Sequence, residues 1–189
     1  MSLSGVIIAG GKSSRMGRDK ALLPFGNYTT LAEFQYRKLE KIFEKVYIST
    51  KSNKFPFIAN LIYDKYKNSS PLNAIISTLE SIGGDIFLLS VDIPFVSIDI
   101  IKKLIHTYKK NPNYDIYIAK SPCGLEPTVA IYKQTILNRA KEMYNKGDFK
   151  LMNLIKSVKY LEVNFENLED FINLNTKVEY IRAKSMAKR

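Results

Sequence analysis

Short apolar runs alternate along this chain with longer stretches whose apolar residues recur at helical spacing. Ser4 to Ala9, carrying Val6, Ile7 and Ile8, reads as a short buried strand that ends at Gly10-Gly11. Thr29 or Thr30 can cap a helix whose apolar face holds Leu31, Phe34, Leu39, Ile42 and Phe43. Val46-Tyr47-Ile48 is a second strand, and Ile58 to Tyr63 supplies a third. Pro71 suits a first helical turn, opening a helix through Leu72, Ile75, Ile76 and Leu79 that stops at Gly83-Gly84.

Ile86 to Val91 is apolar almost without interruption, the pattern of a strand covered on both faces. It runs into Asp92-Ile93-Pro94. Ser97 then caps a helix with Ile100, Ile101, Leu104 and Ile105 on its buried stripe and Asp99 near its positive end. Tyr114 to Ala119 and Thr128 to Tyr132 read as strands joined by a loop over Lys120 to Pro127. Helices around Ile136 to Tyr144 and Leu151 to Ile155, a strand over Val158 to Val163 and a helix over Val178 to Ala183 complete the chain. Strands alternating with helices predict an α/β sandwich around a mainly parallel sheet. No repeat or long linker divides the 189 residues, so a single domain is expected, with a flexible basic tail over residues 184–189.

Composition narrows the chemistry. One Cys and one His exclude a disulfide framework and any zinc site built from cysteines or a histidine cluster. Neither His106 nor Cys123 is placed by a motif to act as base or nucleophile. No apolar run approaches the roughly 18 residues of a membrane helix, and the N-terminal apolar stretch is too short for a secretory signal. A cytoplasmic protein with no membrane partner is expected. The net charge of +11 suits anionic partners. A basic nucleic-acid-binding module would use it too, but no recognised binding motif accompanies it, so nucleic acid is not the expected partner.

Ligands of such sheets bind beyond the carboxyl ends of the strands, which directs attention to the loop after the first strand. That loop holds Gly10, Gly11 and Gly17 together with Lys12, Arg15, Arg18 and Lys20. Glycines let backbone N–H groups approach phosphate oxygens, and the cations neutralise their charge. The arrangement suits a polyphosphate. It is not a P-loop, because Val6 stands where the first glycine of G-x-x-x-x-G-K-[ST] would fall, and G-x-G-x-x-G fails as well. At the end of the most apolar strand, Asp92 can hold Mg²⁺ against nucleotide phosphates, since that ion takes oxygen ligands and commonly only one or two carboxylates.

The segment Ile8-Ala9-Gly10-Gly11-Lys12-Ser13-Ser14-Arg15-Met16-Gly17-Arg18-Asp19-Lys20 resembles the L-A-G-G-x-S-x-R-M-G-x-D-K signature of sugar- and cofactor-nucleotidyltransferases. Within that superfamily it is most similar to the molybdenum cofactor guanylyltransferase family. The resemblance implies a three-layer sandwich with a Rossmann-like, mainly parallel sheet of the nucleotide-diphospho-sugar transferase type. It implies transfer of GMP from GTP to molybdopterin, with pyrophosphate released and Mg²⁺ as cofactor.

Carried over position by position, the resemblance puts Ile8, Ala9 and Gly10 against the nucleoside, with Gly11 and Lys12 in the same GTP-binding loop. Lys20 and Arg15 neutralise the triphosphate and the departing pyrophosphate, and Asp92 ligates the metal. Asp64 stands where the family has an aspartate touching the nucleotide, and Ser49 where relatives often present an asparagine. Pro71 and Leu72 match a G-P-L-x-G element whose glycines are here Ser70 and Ala74. Together with Asn173 and Asn175, from a C-terminal F-x-N-x-N-T element, they are the candidates for binding molybdopterin. Asn175 or Thr176 can equally cap the last helix. Glu126-Pro127-Thr128 resembles an [HE]-P-T element of the guanylyl branch, and Lys150 is the one basic residue after Gly147 where relatives often carry two.

The expected substrates are therefore GTP and molybdopterin, and the resemblance also allows transient contact with molybdenum-cofactor enzymes or insertion chaperones. A sibling reaction, using CTP or UTP with molybdopterin or a sugar phosphate, is the alternative within the superfamily. An acceptor phosphate is already anionic, so the transfer requires no general base.

Overall fold

The computed structural model describes residues 3–10, 19–66 and 70–186. Seven strands follow one another as β1 (Ser4–Ile8), β2 (Val46–Thr50), β3 (Leu61–Tyr63), β4 (Ile86–Ser90), β5 (Ile116–Ser121), β6 (Gly124–Tyr132) and β7 (Tyr160–Asn164). The helices are α1 (Leu31–Glu40), α2 (Pro71–Ile82), α3 (Ile98–Lys110), α4 (Leu137–Asn145), α5 (Leu151–Lys156) and α6 (Lys177–Met186). Among the described residues the strands form one sheet in the order β3-β2-β1-β4-β6-β5-β7. Its β3-β2-β1-β4 half is parallel throughout, β6 is antiparallel to both its neighbours, and β7 is parallel to β5.

Successive residues of a strand face opposite sides of a sheet. In β1 and β4 both sides are apolar. Ile7, Phe87 and Leu89 join Leu31, Leu39, Ile101 and Leu104 of α1 and α3 in one core. Val6, Ile8, Ile86 and Leu88 join Leu72, Ile75, Leu79, Ala140 and Leu154 of α2, α4 and α5 in the other. Helices thus cover the sheet from both sides, which gives the three layers expected and explains the uninterrupted apolar run through β4.

The helix boundaries follow local chemistry. Thr30, rather than Thr29, caps α1 by accepting from the Glu33 amide at 3.0 Å. Ser70 caps α2 with Pro71 in the first turn, and Ser97 caps α3. Gly83 ends α2 with φ 66°, a left-handed conformation that any side chain would strain. Thr176 and Glu179 close α6 reciprocally: Thr176 Oγ1 accepts from the Glu179 amide, and Glu179 Oε2 accepts from the Thr176 amide at 2.7 Å.

Three expectations change. The loop expected over Lys120 to Pro127 is a tight hairpin, with only Pro122 and Cys123 between β5 and β6. Pro127 lies inside β6 because the pairing jumps there, from Ile118 opposite Ala130 to Ala119 opposite Glu126. At such an irregularity the proline's missing N–H leaves no ladder bond unmade. The third strand is shorter than Ile58 to Tyr63, since Ile58 is fully in solvent and the Asn60 side chain donates to the Val46 carbonyl at 3.1 Å. Residues 184–186, expected in a flexible tail, form the last turn of α6, and residues 187–189 lie outside the described residues.

Candidate active site

The carboxyl ends of β1, β2, β3 and β4 lie side by side, with Ile8 opposite Ser49 on one flank and Ser90 on the other. The residues that follow these strands make two connected groups. In the first, Asp92 is fixed by the backbone: the Val91 amide donates to the Ile8 carbonyl at 3.0 Å, and the Asp92 carbonyl accepts from the Leu174 amide at 2.8 Å. Its Oδ1 accepts from the Ser90 hydroxyl, and its Oδ2 accepts from Lys20 Nζ at 3.3 Å. Lys20 also donates to Asn175 Oδ1 at 3.0 Å. The Lys20 and Asp92 side chains are 16% and 19% exposed, enough shelter to raise the weight of a charge contact above that of a surface pair.

The second group lies at β2 and β3. Ser49 Oγ, fully buried, donates to Asp64 Oδ1 at 2.7 Å. The other Asp64 oxygen faces Gly10, where an added Cβ would stand 3.3 Å from it. A side chain at position 10 would therefore need the carboxylate to give by a few tenths of an ångström. Lys54, on the segment after β2, joins the two groups: its Nζ donates to the Ala9 carbonyl at 3.0 Å and pairs with the Asp19 carboxylate. The other Asp19 oxygen caps the single 3-10 turn Lys20–Leu22 by accepting from the Ala21 amide.

A sheltered lysine and a single carboxylate, set beside a basic glycine-rich loop at the strand ends, can neutralise a polyphosphate. Among the described residues no three His, Cys, Asp or Glu side chains gather into a metal cage. One carboxylate does fit Mg²⁺, which keeps waters and is commonly completed by substrate phosphates.

Residues 5–163 match the sequence model of the MobA-like NTP transferase domain. A molybdenum cofactor guanylyltransferase of Campylobacter jejuni subsp. doylei is 38% identical over 189 residues, covering 98% of this chain and 97% of its own. This chain belongs to the MobA-like NTP transferase family. A guanylyltransferase of the same name from Helicobacter pylori is 32% identical, covering 97% of this chain and 92% of its own. The Archaeoglobus fulgidus molybdopterin-guanine dinucleotide biosynthesis protein A has the same fold, with a TM-score of 0.81 at 19% identity and 97% of each chain covered.

In this NTP transferase the sequence candidates separate by environment. Lys20, Asp92 and Asn175 come together. Ser49, Asp64 and Gly10 come together as well. Ile8 and Ala9 are buried, so backbone rather than side chain is what they offer a ligand. Gly11, Lys12 and Arg15 lie outside the described residues. Leu72 is fully buried in the core against Val6 and Ile8, whereas Pro71 is exposed at the start of α2. Asn173 is exposed; the Asn175 amide donates to its carbonyl at 3.1 Å, a turn that frees Asn175 from the opposite-facing geometry of an extended strand. The N-terminal part of β6 continues past Leu89, opposite Val129, so Glu126-Pro127-Thr128 stands at the same end of the sheet as Asp92. Burial raises the Glu126 carboxyl above the usual range, with the Ser121 hydroxyl donating to it at 2.7 Å.

Three polar residues of the site region escaped the sequence reading. Gln35 Nε2, on the buried face of α1, donates to the Ile93 carbonyl at 3.0 Å and contacts the Ser90 carbonyl. Lys38, one turn on, donates to the Pro94 and Val96 carbonyls at 2.9 and 2.8 Å. Together they grip the loop that presents Asp92. A signal existed for Gln35, which sits midway between Leu31 and Leu39 on an otherwise apolar stripe. None existed for Lys54, one cation among 29.

Proposed function

We propose that this enzyme transfers GMP from GTP to molybdopterin, forming the guanine dinucleotide cofactor and releasing pyrophosphate in an Mg²⁺-dependent reaction. The observation that carries the proposal is the Lys20–Asp92–Asn175 contact at the strand ends, beside the basic glycine-rich loop. The full-length similarity to proteins named molybdenum cofactor guanylyltransferase supports the choice of nucleotide and acceptor.

In this reading the nucleoside lies against the backbone of Ile8, Ala9 and Gly10, with Asp64 and Ser49 beside it. Lys20 and Arg15 carry the triphosphate charge, with Gly11 and Lys12 contributing to the same loop. Asp92 is the metal ligand; Mg²⁺, when bound, supplies charge neutralisation at the phosphate oxygens. A phosphate oxygen of the acceptor forms a bond to the α-phosphorus as the bond to the β-phosphate oxygen breaks, and the leaving electron pair goes to pyrophosphate. The attacking oxygen is already anionic, so no side chain has to accept its proton. Lys20 then faces rising negative charge on the leaving group, which is where a fixed cation contributes most. The acceptor's side of the cleft is assigned to Pro71, Asn173, Asn175 and the Glu126-Pro127-Thr128 rim, with Leu72 acting through packing. A biosynthetic enzyme of this kind is placed in the cytoplasm, and no described helix is long and apolar enough to cross a membrane.

Thermal melting with GTP, CTP, UTP and ATP, each with Mg²⁺, tests the nucleotide half. A ligand at a hundred times its dissociation constant stabilises by about 2.7 kcal/mol. Selective stabilisation by GTP, followed by guanine dinucleotide formation with molybdopterin, is the expected result. A preference for CTP or UTP would overturn the guanylyl assignment.

A further inference from the structure

The glycine-rich segment follows Ala9, just past the end of β1, and precedes Asp19, the cap of the turn Lys20–Leu22. Both points are held by one side chain from elsewhere. Lys54 Nζ donates to the Ala9 carbonyl at 3.0 Å and pairs with the Asp19 carboxylate, and the Phe55 ring lies 5.6 Å from the ammonium. The Lys54 side chain is 23% exposed and that of Asp19 is 31% exposed, so the contact is partly sheltered from solvent. Ala9 is itself fixed, its amide donating to the Ser49 carbonyl at 3.0 Å. Asp19 is the cap of the turn that carries Lys20.

We infer that Lys54 is a positioning residue for the nucleotide: a clasp that ties the two ends of the phosphate-binding loop together and sets the turn bearing Lys20. The physical reason is entropic. A loop closed at its ends before the ligand arrives has less freedom left to lose on binding, so affinity rises without any new contact to the ligand. Asp19 supplies one oxygen to Lys54 and the other to the turn, so the same carboxylate couples the clasp to the orientation of Lys20. The inference rests on the proposed nucleotide-binding reading of the loop.

The rival role for Lys54 is direct contact with a phosphate, and the two roles make opposite predictions at Asp19. Asp19→Asn keeps an oxygen to cap the turn but removes the charge that holds Lys54. If Lys54 met the phosphate itself, its release would leave nucleotide affinity unchanged or improve it. As a clasp, it predicts that Lys54→Met and Asp19→Asn each weaken GTP binding about tenfold. The double variant should then be no weaker than the worse single one, because both remove the same link. Lys54→Arg, which can reach both partners, should recover most of the loss. The KM for GTP should rise while kcat stays within about threefold, because the loss falls on binding rather than on the groups at the reacting phosphate.

The experiment is calorimetric GTP titration of the wild type and these four variants with Mg²⁺, alongside steady-state rates. Tryptic cleavage after Lys12, Arg15 and Arg18 without nucleotide reads the loop directly, and should be faster in Lys54→Met. A melting scan of each variant without ligand checks that the fold persists. Wild-type affinity in Lys54→Met, or additive losses in the double variant, would overturn the clasp while leaving the nucleotide reading intact. A wild type that binds no nucleoside triphosphate would overturn both.

Discussion

The Leu174 backbone amide donates to the Asp92 carbonyl at 2.8 Å, and the Leu174 side chain is buried in the core. The C-terminal segment is thus sewn to the strand end that carries the acid, and Asn175, the next residue, reaches Lys20. Tyr180 in α6 donates to the Pro24 carbonyl, tying the same segment to the stretch after Lys20. Asp92, after β4, and Asn175, just before α6, therefore both hold Lys20.

Replacing either partner of that central pair should abolish most turnover while sparing the fold. Asp92→Asn and Lys20→Met are each expected to lower kcat by at least about a hundredfold, the scale of removing one preorganised electrostatic group. Initial-rate assays with GTP and molybdopterin, alongside circular dichroism, measure this. Rates within threefold of wild type would remove these residues from the mechanism.

Asn175→Ala should act more mildly. Lys20 keeps Asp92 as a partner but loses the oxygen that fixes its direction. A fall of about tenfold in kcat/KM is expected, with little change in melting temperature, since a single exposed hydrogen bond contributes about 1 kcal/mol or less. An unchanged kcat/KM would show that the contact does not orient Lys20.

Gly10→Ala tests the approach to Asp64. The new methyl would stand 3.3 Å from Asp64 Oδ2, so the carboxylate must give by a few tenths of an ångström. GTP affinity should fall several-fold. In an Asp64→Ser background the same substitution should cost less, because the shorter side chain withdraws the obstructing oxygen. Equal effects in both backgrounds, read by calorimetry, would sink this explanation.

Lys38 gives the protein a pH-dependent component of stability. Burial lowers its pKa from 10.5 to about 7 in the folded protein. Between those values the unfolded chain holds a proton that the folded chain has released, so stability rises with pH across the window. Below the folded value both states are protonated and the contribution is flat. The neutral amine still has two N–H groups for the Pro94 and Val96 carbonyls. Denaturant unfolding of the wild type and Lys38→Met should therefore diverge steadily from about pH 7 up to about pH 10. Parallel curves would mean that Lys38 stays charged in the fold.

Much of the parallel half of the sheet was legible in the sequence because its cause is local. Thr30, Ser70 and Ser97 cap the helices they precede, and Ile86 to Leu89 is apolar because helices cover both its faces. The β5–β6 hairpin was not legible. Pro127 marks a strand break by local rules, and only the skipped pairing opposite Ile118 and Ala119 explains its place inside β6. The site divides the same way. Lys20 and Asp92 were accessible from motif and position at a strand end. Asn175 was accessible from its motif, but its contact with Lys20 was not, because that depends on the turn at Asn173 and on how the segment before α6 docks. Lys54 and Lys38 were invisible, since nothing in a lysine's sequence neighbourhood records which carbonyl oxygens it will meet.

Lys20 and Asn175 are separated by 155 positions along the chain. During synthesis the ribosome delivers the loop, the acid and the seven described strands before the asparagine that contacts the lysine. A chain that stopped after β7 could pair these strands yet lack the Asn175 contact to Lys20. The segment after β7 thus ties the Lys20–Asn175 contact to a stretch of chain made later than the described sheet.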